Sequence, residues 1–343
     1  MTAKRIKVLI VDDSLFFRRI LNKELSEDSG IEVVGLAENP IDALDKIELL
    51  KPDILTLDIE MPKMNGLTFL KKIMIENPIK IVLVSSMNLS VFDALHSGAV
   101  DFVKKPDMSS ENDLNNFLRD LKGKIKIASI ANLKTNIAIR NLSTLKLKRC
   151  SEEKIIAIGA STGGTEATLE ILKALPKEVP GILITQHMPS GFTKMYADRL
   201  NKICNMEVKE ASDGDRIKYG LALIAPGDMQ MKLAQDAKGY YVTCRPGDKV
   251  SGHRPSVDVL FNSVAENAGK NAVGIILTGM GKDGAQGLLN MKKSGAYTIG
   301  QDKESSVVYG MPMVSYNIGA VTVQASISNI ANLLIKHLNN NSK

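Results

Sequence analysis

The chain has 343 residues, more than the roughly 100–200 of one typical core, so two domains are expected. With 44% hydrophobic and 24% charged residues it resembles an ordinary soluble globular protein. Its apolar runs, such as Val8–Val11 and Ile81–Val84, fall far short of the roughly 20 residues of a membrane helix, so a cytoplasmic protein is expected.

The basic start MTAKR precedes an apolar stretch that is too short for a signal peptide and ends in Asp12 and Asp13. From there apolar runs alternate with amphipathic segments. KVLIV (7–11), EVVGLA (32–37), DILTLD (53–58), KIVLVSS (80–86) and VDFV (100–103) predict strands. Segments near 14–28, 40–50, 66–76 and 89–97 predict helices between them, with a closing helix at 111–128. Five strands alternating with helices predict a doubly wound parallel sheet, which binds ligands at the carboxyl ends of its strands.

The formal charge of +6 comes largely from one stretch, since eight basic residues and no acidic one lie between Lys122 and Arg149. That pattern predicts a solvated linker at 126–152 rather than a nucleic-acid surface on either flanking domain, 4–125 or 153–338. In the second domain KIIAIGA (154–160), GILITQ (181–186), GLALIAPG (220–227), NAVGIILTG (271–279), AYTIGQ (296–301) and AVTVQA (320–325) predict strands. Helical patterns lie near 165–175, 191–203, 256–268 and 284–294, and MKLAQDAKGYYVTCR suits an inserted antiparallel hairpin. Cys150, Cys204 and Cys244 form no CxxC spacing, which argues against a disulfide framework and a zinc site.

Asp12 and Asp13 follow the first strand and Asp58 ends the third. Neighbouring strands of a doubly wound sheet would bring these carboxylates together, where they repel one another unless a cation is present. Mg2+, a hard oxygen-preferring ion, suits the set. It would favour in-line phosphoryl transfer to a carboxylate. Ser85, ending the fourth strand, offers a hydroxyl to a phosphoryl oxygen, and Lys105, beyond the fifth, offers a fixed positive charge.

VDDS (11–14), DIEMPKMNG (58–66), Ser85–Ser86 and KKP (104–106) closely resemble the response-regulator receiver family. The resemblance implies a flavodoxin-like fold, with Asp58 as phospho-acceptor and Asp13, assisted by Asp12, as metal ligand. It further implies a metal-binding backbone carbonyl at Glu60, and Ser85 and Phe102 as residues that report phosphorylation by moving.

Gly159-Ala160-Ser161-Thr162-Gly163-Gly164 follows a strand, opens a helix and satisfies G-x-S-x-G, a turn that exposes a nucleophilic serine. A Gly-rich phosphate-binding turn is the competing reading of that run alone. A serine needs a base, and His187 at a strand end stands ahead of His253 in the polar stretch SGHRPSVD. His96 and His337 lie in helices. Asp283, Asp302 and Asp228 all follow predicted strands and compete for the orienting carboxylate.

GASTGG (159–164), QHMP (186–189), IAPGD (224–228), SGHRPSVD (251–258) and LTGMGKDG (277–284) look like the catalytic domain of the chemotaxis protein-glutamate methylesterases. The order of receiver, linker and this domain is that family's own. The resemblance implies a Rossmann-like, mostly parallel α/β catalytic domain with Ser161 as nucleophile, His187 as base and Asp283 as orienting acid. It places an oxyanion hole at backbone N–H groups near Thr162 and Met280. It also implies a pathway histidine kinase as phosphodonor, methylated chemoreceptors as substrate and no cofactor for the hydrolysis. DNA binding and membrane insertion are not expected.

Overall fold

The structure is a computed structural model that describes residues 4–61, 65–86, 89–106, 111–133, 147 and 154–340. The chain divides into two compact units, residues 1–136 and 137–343.

The first unit runs β1 (Ile6–Val11), α1 (Leu15–Ser26), β2 (Ile31–Ala37), α2 (Pro40–Leu50), β3 (Ile54–Asp58), α3 (Gly66–Glu76), β4 (Lys80–Ser85), α4 (Ser90–His96), β5 (Asp101–Lys104) and α5 (Glu111–Ser129). Polar caps start three of these helices: Ser14, Asn39 and Asn65 each accept a hydrogen bond from a backbone N–H of the first turn. The sheet order is β2-β1-β3-β4-β5, all parallel, which is the flavodoxin-like order. The central strands β3 and β4 are buried almost throughout, as expected where helices cover both faces. Helix α5 passes residue 125, so the chain is still helical through the first residues assigned to the linker. Apart from Leu147, residues 134–152 of that assignment lie outside the described residues.

The second unit contains β6 (Ile155–Ala160), α6 (Gly164–Ala174), β7 (Gly181–Gln186), α7 (Phe192–Ile203), β8 (Glu207–Glu210) and β9 (Leu221–Ile224). It continues with β10 (Gln230–Asp236), β11 (Gly239–Arg245), α8 (Val257–Asn267), β12 (Ala272–Ile276), α9 (Ala285–Lys293), β13 (Tyr297–Gln301), α10 (Met311–Asn317), β14 (Val323–Ala325) and α11 (Ile327–Asn340). Seven parallel strands stand in the order β14-β13-β12-β6-β7-β9-β8. Strand β6 lies beside β12 on one side and β7 on the other, so the order reverses there, and that switch point is where such sheets bind ligands. The expected hairpin is β10–β11, antiparallel from Gln230↔Arg245 to Asp236↔Gly239. It packs on α8, where Ser263 Oγ accepts the Leu233 N–H at 2.9 Å. Among the described residues no helix is long and apolar enough to cross a membrane.

Two elements have no counterpart among the predicted ones. Strand β8, EVKE, is a short and highly charged edge strand whose apolar pattern is one valine deep. Helix α10, MPMVSYN, is too brief to display a helical period.

Candidate functional site

In the first unit the strand register assembles the acidic cluster. Val11 stands opposite Leu57, so Asp12 falls beside Asp58. Ligand oxygens of Asp12, Asp13 and Asp58 all lie within 4.8 Å of one another. Lys105 reaches Asp12 Oδ2 at 2.7 Å and Asp58 Oδ2 at 2.6 Å. It arrives there because its N–H bonds the carbonyl of Ser85 at 2.9 Å, extending the β4–β5 pairing by one residue. Burial works against the Lys105 charge, but the two carboxylates outweigh it and hold its pKa above the ordinary value. Asp58 is displaced too. Burial pushes its carboxyl pKa up, against Lys105 and the Glu60 N–H, which bonds Asp58 Oδ1 at 3.0 Å.

Three hard oxygen donors at one sheet edge, Asp12 and Asp58 buried and Asp13 exposed, with Asp58 destabilised as an anion by its burial, form a set that Mg2+ fits. Ser85 is fully buried and its hydroxyl has no hydrogen-bond partner, an unused donor at the end of β4. Phe102 is buried, edge-on to Phe92 at 6.5 Å between centroids and beneath the Lys124 ammonium.

The second unit gathers a different set at its switch point. His187 Nε2 lies 2.7 Å from Asp283 Oδ2, and both side chains are buried. An ionised carboxylate only accepts, so the neutral ring carries its proton on Nε2 and its lone pair on Nδ1. That Nδ1 is buried and has no partner. Ser161 follows β6 as His187 follows β7. Ala160 and Gln186 are register partners, and the His187 N–H bonds the Ala160 carbonyl at 3.1 Å, placing Ser161 one strand from His187. Gln186 Nε2 ties the pair together by donating to the carbonyls of Ser161 (2.9 Å) and His187 (3.3 Å).

Asp283 is fixed from behind by the start of α8. Its Oδ1 accepts from the Ser256 hydroxyl at 2.8 Å and the Asp258 N–H at 3.0 Å, and its Oδ2 accepts from the Val257 N–H at 2.8 Å. Burial alone would raise its pKa. The His187 contact, the Asp258 N–H and the Ser256 hydroxyl outweigh that and hold it below the ordinary carboxylate range. Asp258 beside it moves the other way, raised by burial and by the Asp283 charge against the N–H of Gly287.

The remaining candidates separate cleanly. Asp302 accepts from the backbone and hydroxyl of Ser305, and Asp228 faces Arg254 at 3.6 Å. His253 stacks flat on His187, with centroids 3.7 Å apart and 8° between planes. His337 stacks on Tyr297, and His96 ends α4. Burial pushes the thiols of Cys204 and Cys244 up to about 11 and about 12, while Cys150 lies outside the described residues. Thr162 is buried just before α6, whose N-cap Gly163 has φ +77°, a conformation that suits glycine. Met280 is exposed on a turn packed against the serine, for a Cβ at Gly279 would stand 2.6 Å from that of Ser161.

Two family models match the chain: the response regulator receiver domain over residues 8–118 and CheB methylesterase over 156–334. The chain is 53% identical to protein-glutamate methylesterase/protein-glutamine glutaminase 2 of Syntrophomonas wolfei, over 99% of each chain. The chain belongs to this family. A Sulfurimonas denitrificans protein-glutamate methylesterase/protein-glutamine glutaminase is 49% identical over 95% of this chain and 96% of its own. The crystal structure of the Thermotoga maritima CheB methylesterase catalytic domain matches with a TM-score of 0.53 at 39% identity. That match covers 54% of this chain and 98% of the other. Both α/β folds and their order along the chain therefore stand as the resemblance implied.

The residues passed over in the sequence are the supports. Ser256 carried a legible signal, a serine just before an apolar helical run, which is an N-cap pattern. Gln186, Gln230 and Asp258 carried none, since nothing in a single sequence says that a polar residue beside an apolar run will be buried.

Proposed function

We propose that the protein is a serine hydrolase under receiver control, acting on glutamate γ-methyl esters of chemoreceptor cytoplasmic helices in chemotactic adaptation. The observation that carries this reading is the buried His187–Asp283 pair with an unpartnered Nδ1, one strand from Ser161. Ser161 Oγ attacks the ester carbonyl carbon while its proton passes to His187 Nδ1. Asp283, fixed and ionised, stabilises the imidazolium. Backbone N–H groups at Thr162 and Met280 hold the oxyanion. The bond to the methoxy oxygen breaks, and methanol leaves with the proton from His187. Water then attacks the acyl-enzyme, giving a proton to His187, and the glutamate carboxylate is released as Ser161 is restored. The same steps on a glutamine side chain release ammonia, which accounts for deamidation.

The control input is Asp58, phosphorylated by the pathway's histidine kinase. Asp12, Asp13, Asp58 and the Glu60 carbonyl would hold Mg2+, which would neutralise charge on the phosphoryl group. Lys105 holds a phosphoryl oxygen, and the idle Ser85 hydroxyl turns to another. Phe102, already buried, repacks as Ser85 turns, so the β4–β5 edge carries the signal. The enzyme acts in the cytoplasm, where its proposed substrate helices and phosphodonor lie.

The test is methanol release from a methylated receptor and from a simple methyl ester, each with and without a small phosphodonor and Mg2+. Release selective for the receptor and increased by the phosphodonor is expected. Equal turnover of both esters would make the enzyme a general esterase and overturn the receptor assignment.

A further inference from the structure

Gln230 touches none of the reacting groups, yet its side chain joins two separate supports of the His187–Asp283 pair. It opens β10, and the residue is only 6% exposed. Its Oε1 accepts the Ser256 N–H at 2.9 Å, and its Nε2 donates to the carbonyls of Asp248 (2.8 Å) and His253 (3.4 Å). Ser256 is the residue whose hydroxyl holds Asp283 at 2.8 Å. His253 is the residue whose ring lies 3.7 Å above that of His187.

The contacts therefore close into a circuit: His187 to Asp283, Asp283 to Ser256, Ser256 to Gln230, Gln230 to His253, and His253 back to His187. An imidazole held only by a hydrogen bond at Nε2 can still rock about that bond. A flat neighbour on its face removes the motion. Both restraints pass through one amide, and the loop that carries His253 is otherwise mostly exposed, with residues 245–252 open to solvent. Within that loop Val250 and His253 pair backbone to backbone, and the Arg254 guanidinium bonds the Gly247 carbonyl. The loop thus has its own internal order and uses Gln230 to attach to α8.

We propose that Gln230 is a positioning residue for the hydrolysis, aligning His187 through Ser256 on one side and through His253 on the other. This rests on the triad reading above. A fastening role confined to the loop would predict something different: lower stability with unaltered chemistry.

The test uses the full chain and methanol release from methylated receptor. Gln230→Met keeps the length and removes all three hydrogen bonds. It should lower kcat about ten- to a hundredfold, the scale of a small misplacement of a catalytic group, with KM changed less than about twofold. The midpoint of the acid limb of kcat/KM against pH should move. In a double-mutant cycle with Ser256→Ala the losses should fall short of multiplying, because the two residues act in series. His253→Ala leaves the three amide bonds in place and should move the same acid limb by a smaller amount, which covers the case of a poorly folding Gln230→Met. Wild-type kcat and pH profile in both Gln230→Met and His253→Ala would overturn the inference, as would full multiplicativity with Ser256→Ala. Ser161→Ala run alongside separates the two levels. If it is inactive while Gln230→Met is normal, the inference alone fails. If it stays active, the triad reading fails and the inference with it.

Discussion

Asp58 and Asp283 are the same residue type, both buried, one at the end of β3 and the other just past β12, and their carboxyl groups shift in opposite directions. The difference lies in who solvates them. Asp58 shares one ammonium with Asp12 and stands in a cluster of three carboxylates. Asp283 has an imidazole, a hydroxyl and two backbone N–H groups to itself. The first arrangement leaves negative charge incompletely balanced, which suits a site that awaits a cation and then a phosphoryl group. The second fixes a charge permanently, which suits a residue that must hold a ring in one orientation through every turnover. One sheet edge is built to change state and the other to stay as it is.

The largest expected effect tests the fixed site. Ser161→Ala should lower turnover by on the order of 10^4–10^6, the usual cost of a lost triad nucleophile. Single-turnover methanol release measures it, and substantial residual activity would remove Ser161 from the mechanism. Asp283→Asn should cost on the order of 10^3–10^4 in kcat, because an amide can donate to Nε2 and so favours the wrong tautomer. If the loss were under tenfold, the 2.7 Å contact would not be an orienting one.

Next comes the site that changes state. Asp58→Asn should leave basal turnover within about twofold and abolish the increase produced by phosphodonor and Mg2+. A surviving increase would move the phosphoryl group elsewhere. The same assay on residues 154–343 alone sharpens the comparison, since a catalytic domain of a relative has been crystallised by itself. If the unphosphorylated receiver restrains the enzyme, the fragment should exceed the unphosphorylated full chain. A fragment no faster than the full chain would exclude restraint by the receiver.

The two sites were unequally legible in the sequence. The receiver cluster follows from strand ends alone: once β1 and β3 are neighbours, Asp12 and Asp58 must meet. Ser161 and His187 were singled out by the same rule, and they stand one residue past β6 and β7. Asp283 was not decided by it, because Asp228 and Asp302 also follow strands. What separates them is the start of α8, which reaches Asp283 from far along the chain. The stacking of His253 on His187 is of the same kind, a contact made by a polar loop whose path no local pattern encodes. Strand β8 and helix α10 were lost to brevity, for four and seven residues cannot establish a period.

The opposite pKa shifts make the comparison measurable without any assay of activity. Asp58 has a folded pKa above the ordinary 3.8. Its contribution is therefore complete below about that pH and is lost as pH rises through the folded value, so at neutral pH its ionised form works against the fold. Asp283 has a folded pKa below 3.8, so its contribution is present above that pH and is lost as pH falls through the folded value. An asparagine mimics a carboxyl that never ionises. At pH 7 Asp58→Asn should stabilise the receiver, and Asp283→Asn should destabilise the catalytic domain. At acid pH both differences should shrink, because each wild-type carboxyl takes up a proton as pH falls through its folded value and approaches the neutral state that asparagine imitates. Denaturant unfolding of each domain, followed separately by hydrogen exchange at the two pH values, reads both signs in one experiment. Two changes of the same sign at pH 7 would mean that burial governs both residues alike. The contrast between a site built to change and a site built to hold would then lose its physical basis.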